Sequence, residues 1–285
     1  MSLKKFENKN ILITGASSGI GEAIAYQLAA AKANLFLAGR DMEKLMAVKD
    51  KCVNINSASG KNNNVKATDT NENIPDYPVQ TFGVDFSSTE SIDNFVSDIT
   101  NKNITFDYLI LNAGISQRAL TLETDFCVDR KIMETNFFGP VYLTKKLSHM
   151  LLSAKNTHIA ITSSISGLFG FPLRSAYCAS KHALFGFFES LELENENIKV
   201  TFLIPGRINT PISKSAILSD GSTYSKMDSG QAGGMNVDKC AQIALRAIAK
   251  EKHRKLIGGK ELLMVYIKKY VPLLFYKLAR KISAT

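Results

Sequence analysis

The sequence predicts an α/β fold, a doubly wound parallel sheet with helices on both faces, and three observations carry that reading. Short apolar runs alternate with helical stretches along most of the chain. The runs are apolar at nearly every position, as strands covered on both faces must be. A glycine-rich turn joins the first run to the first helix, where such sheets place their phosphate-binding turn.

The elements follow in order. Residues 10–40, "NILITGASSGIGEAIAYQLAAAKANLFLAGR", read as strand, turn, alanine-rich helix and second strand, a β-α-β unit. Further strands are expected in "VQTFGVDF" (79–86), "FDYLILNAG" (106–114), "HIAITSSISG" (158–167) and "KVTFLIPG" (199–206). Helices are expected at 88–100, 129–154 and 177–194. No repeat of fixed period is present, which excludes a solenoid. Two segments break the rhythm. Residues 54–78 are rich in Asn, Ser and Asp and predict a long surface loop or insertion. Residues 211–236 mix small and polar groups just after a strand end, where a mobile substrate lid is expected.

Composition narrows the function. At 285 residues, with 45% hydrophobic and 21% charged residues, the chain buries a large core and is expected to form one domain. Cys52, Cys127, Cys178 and Cys240 form no C-x-x-C pair and the four histidines have no ligand spacing, so neither a metal nor a disulfide framework is expected. The polar start "MSLKKFENKN" contains no apolar run, and a cytoplasmic protein is expected. Net charge is +9, but residues 250–285 hold ten basic residues against two acids, leaving the other 249 at +1. The body therefore has no electrostatic reason to bind nucleic acid.

The chemistry concentrates in a few motifs. "TGASSGIG" places Gly15, Gly19 and Gly21 at a strand-helix junction, with Ser17, Ser18 and Ile20 between them. Missing Cβ atoms let the backbone approach a pyrophosphate while the helix N-terminus offers free N–H groups. Dinucleotide folds read the ribose at the end of the second strand. There "LAGRD" has Gly39 where an acid would select NAD(H) and Arg40 next to it, so NADP(H) is preferred over NAD(H). Asp41 has a structural reading as an N-cap.

In "SSISGLFGFPLRSAYCASK" a serine precedes Tyr177 by thirteen residues and Lys181 follows it by four. On a helix the last two share a face, and an ammonium beside the phenol would lower a pKa that is otherwise about 10. Ser163, Ser164 and Ser166 are all offered, and Ser164 is the one thirteen positions before Tyr177. Cys178 and His182 flank the pair without an acid to orient them, so packing is their reading.

These motifs, with "NAG" at 112–114, the Asn of "METNFFG" and "PGRINT" at 205–210, resemble the short-chain dehydrogenases/reductases over residues 9–210. The resemblance implies a Rossmann-type sheet of about seven parallel strands, a nicotinamide cofactor and hydride transfer at a carbonyl or alcohol carbon. It implies that Asn112, Ala113 and Gly114 close on the adenine ribose and that Asp85 touches the adenine edge. Asn136 would distort its helix and hold a water in a proton relay, the competing reading being an amide that caps local backbone. Pro205, Gly206, Ile208 and Thr210 would hold the nicotinamide amide. Ser164 would bind the substrate oxygen, Tyr177 would act as acid and base, and Lys181 would tune the phenol and hold the nicotinamide ribose. A homodimer or tetramer is implied.

The basic end departs from that pattern. In 261–285, apolar and aromatic residues alternate with Lys268, Lys269, Lys277, Arg280 and Lys281, and Pro272 predicts two short amphipathic helices. They either cover the pocket or a subunit contact, or attach peripherally to an anionic membrane. Leu168, Phe169, Phe171 and Leu173 are either core or the lining of an apolar pocket, and the latter makes the substrate lipophilic. An NADP(H)-dependent carbonyl reductase or alcohol dehydrogenase is thus the leading expectation. A 3-oxoacyl reductase meeting an acidic carrier protein or a CoA thioester is the narrower alternative. A non-catalytic nucleotide sensor or scaffold is the alternative of another class, opposed by the intact Ser164, Tyr177 and Lys181.

Overall fold

The computed structural model describes residues 3–60 and 77–281. β1 (Asn10–Thr14), α1 (Gly19–Ala30), β2 (Asn34–Gly39), α2 (Met42–Gly60), β3 (Val79–Gly83), α3 (Thr89–Asn101) and β4 (Tyr108–Leu111) form the first half. α4 (Phe126–Met133), α5 (Gly139–Lys146) and α6 (Ser148–Ser153) lead to β5 (Thr157–Thr162), and α7 (Ser175–Glu194) leads to β6 (Ile198–Pro205). The short α8 (Ser229–Ala232) and α9 (Val237–Ala249) precede β7 (Arg254–Ile257), and α10 (Leu263–Tyr270) and α11 (Pro272–Ala279) follow it.

The strands pair in parallel in the order β3-β2-β1-β4-β5-β6-β7. The order reverses between β1 and β4, which opens a crevice at their C-terminal ends. Successive strand residues feed opposite cores. Ile11, Ile13, Leu35 and Leu37 meet Ile24, Leu28 and Leu245 on one face. Leu12, Phe36, Leu109 and Ile159 meet Phe95, Leu143 and Phe188 on the other. Two buried faces are why the strands read as unbroken apolar runs; each fully buried large side chain contributes about 1.5–3 kcal/mol. Ser88 caps α3 by accepting from Ser91 N at 3.2 Å, and Asn236 caps α9 through Asp238 N and Lys239 N.

Two expectations are corrected. Residues 54–60 are not loop but the last turns of α2, because Cys52, Val53 and Ile55 pack on the core beside α1. The remainder of the expected loop, up to residue 76, lies outside the described residues. The helix expected over 129–154 starts at Phe126 and is broken by a π turn over Glu134–Phe138 and again at Leu147. Pro140 has no N–H to continue the ladder, which fits a break just before it. In the segment 211–236, expected as a lid, backbone bridges join Ile217 to Gln117 and Thr223, and Met235 to Ile208. The expected split at Pro272 is present, and Phe275 and Ala279 of α11 pack on Phe169.

Candidate active site

Above the ends of β1, β4, β5 and β6 lies a cleft of about 320 Å³. Every site residue expected from sequence lines it except Gly21, Asp85 and Asn136. At its floor Gly15 and Gly19 have φ of +64° and +60°, a conformation glycine adopts without strain. A Cβ on Gly15 would lie 2.8 Å from Ala113 Cα, so the turn presses onto the β4 loop. Gly21 has a packing role: its Cβ would sit 2.4 Å from Gly15 O. Ser18 makes no side-chain bond to α1, which leaves the helix N-terminus open to an anion. This cradle fits a dinucleotide pyrophosphate.

Asp85 is not among the residues that line the cleft. Its carboxylate accepts from Ser87 N at 2.9 Å and Ser87 Oγ at 2.7 Å. Burial raises its pKa, but those bonds and the charges of Arg40 and Lys131 outweigh burial and hold it below the usual range. At the same end Arg40 and Lys44 both line the cleft, and Lys44 Nζ engages Asp41 at 2.6 Å.

The reacting end is built by β5 and α7. Ser164, Tyr177 and Lys181 are all buried, and the Ser164 hydroxyl is a hydrogen-bonding neighbour of the Tyr177 phenol. Burial raises the Tyr177 pKa; Ser164, Arg174 and Arg118 oppose it without reversing the shift. Lys181 lies one turn further along α7. Its Nζ lies 5.9 Å from the tyrosine ring centroid and donates to Thr162 O at 2.9 Å. Burial pushes the Lys181 pKa down to about 8.

Asn136 sits in the π turn, so the helix is distorted where the sequence implied. Its Oδ1 accepts from Ile115 N at 2.8 Å, and its Nδ2 donates to Ile115 O at 3.0 Å and Ser180 Oγ at 3.1 Å. The amide thus bonds both backbone groups of Ile115 on the loop after β4. A Cβ on Gly114 would lie 3.1 Å from Asn136 Oδ1 and 3.4 Å from Lys181 Nζ, which places these groups around one glycine. Cys178 is buried with its pKa raised by desolvation, as packing requires.

Sequence reasoning missed a buried charge cluster at the cleft. Arg118 Nε and Nη2 donate to the Asp228 carboxylate, and Arg118 Nη1 donates to Ser116 Oγ at 2.8 Å. Arg174 Nη2 approaches Asp228 Oδ2 at 3.4 Å, and burial brings the Arg174 pKa down to about 10.

Comparison with known proteins decides the family. The short chain dehydrogenase family model matches residues 9–74 and 57–220. Dehydrogenase/reductase SDR family member 7B of Xenopus laevis is 37% identical over 271 residues, covering 94% of this chain and 80% of that protein. The chain belongs to the short-chain dehydrogenase/reductase family. The dehydrogenase/reductase SDR family protein 7-like of Drosophila melanogaster is 35% identical, covering 98% of this chain and 82% of that protein. Among solved structures, a short-chain dehydrogenase/reductase from Burkholderia phymatum in complex with NAD shares the fold at a TM-score of 0.76 and 20% identity, covering 94% of this chain and 95% of that one. An alcohol dehydrogenase from the archaeon Thermococcus sibiricus, complexed with 5-hydroxy-NADP, does so at 0.70 and 22%, covering 88% and 97%. The short-chain dehydrogenase fold therefore spans the described chain, and members of the family bind nicotinamide cofactors.

Proposed function

We propose that this oxidoreductase uses NADP(H) to interconvert a carbonyl and an alcohol on a lipophilic substrate, with Tyr177 as acid and base. The observation that carries this reading is the convergence of Ser164, Tyr177 and Lys181 on the cleft that also holds the glycine cradle. A bound nicotinamide supplies or accepts the hydride. Ser164 and Tyr177 donate hydrogen bonds to the substrate oxygen as negative charge grows on it. A phenol held protonated by burial suits proton donation in the reductive direction. Lys181 carries a proton at Nζ with a pKa of about 8, close enough to neutrality to exchange it.

The preference for NADP(H) is supported by Arg40 and Lys44 at the ribose end, with Asp41 engaged by Lys44. A lipophilic substrate is supported by Phe169, Phe171 and Met264 in a second cavity of about 70 Å³ that shares Ser164 and Gly206 with the cleft, where they stand beside the charged Arg174, Arg207, Asp228 and Glu261. Peripheral attachment of a cytoplasmic protein to a membrane surface is supported by α10 and α11. They expose Leu263, Tyr270 and Leu273 at 61%, 68% and 85% beside Lys268, Lys269 and Lys277. Among the described residues no helix is long and apolar enough to cross a membrane. A dimer or tetramer is in keeping with the family.

Tyr177→Phe tests the mechanism: NADPH binding, read by fluorescence titration, is retained and reduction of a ketone panel is abolished. Normal turnover in that variant overturns it. NADPH binding no tighter than NADH overturns the cofactor preference.

A further inference from the structure

The first turn of α7 carries Tyr177, and a helix cannot satisfy its own first N–H groups. Arg174, which precedes it, makes no side-chain capping bond. The bonds are supplied from a distant part of the chain. Gln117, on the loop after β4, is fully buried, and its Oε1 accepts from Ala176 N at 3.0 Å and Tyr177 N at 3.4 Å. Its Nε2 faces acceptors: Thr124 Oγ1 at 3.4 Å, Ser175 Oγ at 3.5 Å and the Asp129 carboxyl. A flipped amide would turn N–H groups onto the helix amides, so one orientation is selected. The bracket is itself held, since Ile217 N donates to Ser116 O and Arg118 N donates to Ile217 O, both at 2.9 Å.

We infer that Gln117 is a positioning residue for catalysis: it caps α7 from outside and so fixes the place of Tyr177 relative to Ser164 and Lys181. The inference rests on Tyr177 being the acid-base group, and it names how the chain holds that group. Without the cap, the first turn loses acceptors for two buried N–H groups and frays. Fraying moves the phenol, while the cofactor cradle on β1 and α1 stays as it is.

The test is Gln117→Met, which keeps the volume and removes the acceptor. Its companion is the exchange Gln117→Glu with Asp129→Asn, which returns an acceptor to the helix and an amide behind it at unchanged charge. Two readouts are taken: hydrogen-deuterium exchange of the peptide covering residues 175–181, and NADPH oxidation with 2-dodecanone as the probe ketone. In Gln117→Met the peptide loses protection and kcat falls about 10- to 100-fold, the size of a misplaced reacting group, with the NADPH Kd unchanged. The exchange variant regains protection and most of kcat. Should Gln117→Met not fold, Gln117→Asn, which draws the acceptor back by one methylene, carries the same comparison. Unchanged protection in the single variant overturns the inference, as does unchanged kcat. So does a loss of kcat that the exchange variant fails to restore while protection returns. The exchange readout needs no substrate, so it stands apart from the reaction. Turnover retained in Tyr177→Phe would overturn the proposed reaction instead.

Discussion

Lys181→Met separates the cost of a buried ammonium from its proposed use. The side chain is 4% exposed, and burial brings its pKa from 10.5 down to about 8. Keeping it protonated at pH 7 then costs the fold about 3 kcal/mol. Its Nζ donates to Thr162 O at 2.9 Å, and leaving that carbonyl without it costs about 1–3 kcal/mol. Methionine matches the stem in length and keeps the packing. The balance favours the variant by about 1 kcal/mol at pH 7, a rise in Tm of about 2 °C in a chain of this size, while turnover is lost. The sign depends on pH. Above the ordinary lysine pKa both states hold a neutral amine and the cost vanishes; it grows as pH falls from 10.5 to 8 and is complete below that. The variant's advantage therefore shrinks as pH is raised from 8 towards 10.5. Thermal unfolding of both proteins at pH 7 and pH 9.5, beside an NADPH-oxidation assay, reads all of this. A variant less stable than the parent by more than about 1 kcal/mol at pH 7, where burial is argued to dominate, would refute the reasoning.

Two further outcomes are expected. Asp228→Asn strands the Arg118 guanidinium, whose side chain is 2% exposed; loss of a buried pair partner costs about 3–5 kcal/mol, read as a lower urea midpoint. Arg118→Met combined with Asp228→Leu should recover most of that loss, and a double variant worse than the single one contradicts the account. His158, buried against Thr201 Oγ1 at 2.8 Å, has its pKa pushed down to about 4 by burial. Its unfolded form takes up a proton first, so stability is complete above pH 6.5 and falls towards pH 4 by up to about 3 kcal/mol. His158→Gln should flatten that part of the stability-pH curve; an unchanged slope assigns it to other groups.

Local signals made the strands, the glycine turn and the Tyr177–Lys181 helix legible, because each is written in a few consecutive residues. Less local features were not. β7 is four residues with basic neighbours, paired only with β6 at the sheet edge, and its sequence gives no apolar run to notice. Residues 54–60 read as loop because Asn and Ser favour turns, yet the apolar positions just before and among them hold the helix to the core. The cluster of Arg118, Arg174 and Asp228 joins residues up to 110 apart in the chain, so each alone reads as a solvated charge. Helical spacing likewise sets which face Lys181 occupies but not the carbonyl to which its ammonium donates.

The π turn at Glu134–Phe138 has a consequence for how one length of chain serves two neighbours. A surplus residue in a single turn rotates everything beyond it by about 100°. Before the turn, α4 packs on α7; after it, α5 packs on α3. Deleting any residue of Glu134–Phe138 would let the rod become regular and would swing the second neighbour's apolar stripe out to water. A gap of one position here is therefore harder to accommodate than several in an exposed connection, and homologous chains should keep the length of this stretch even where its letters change.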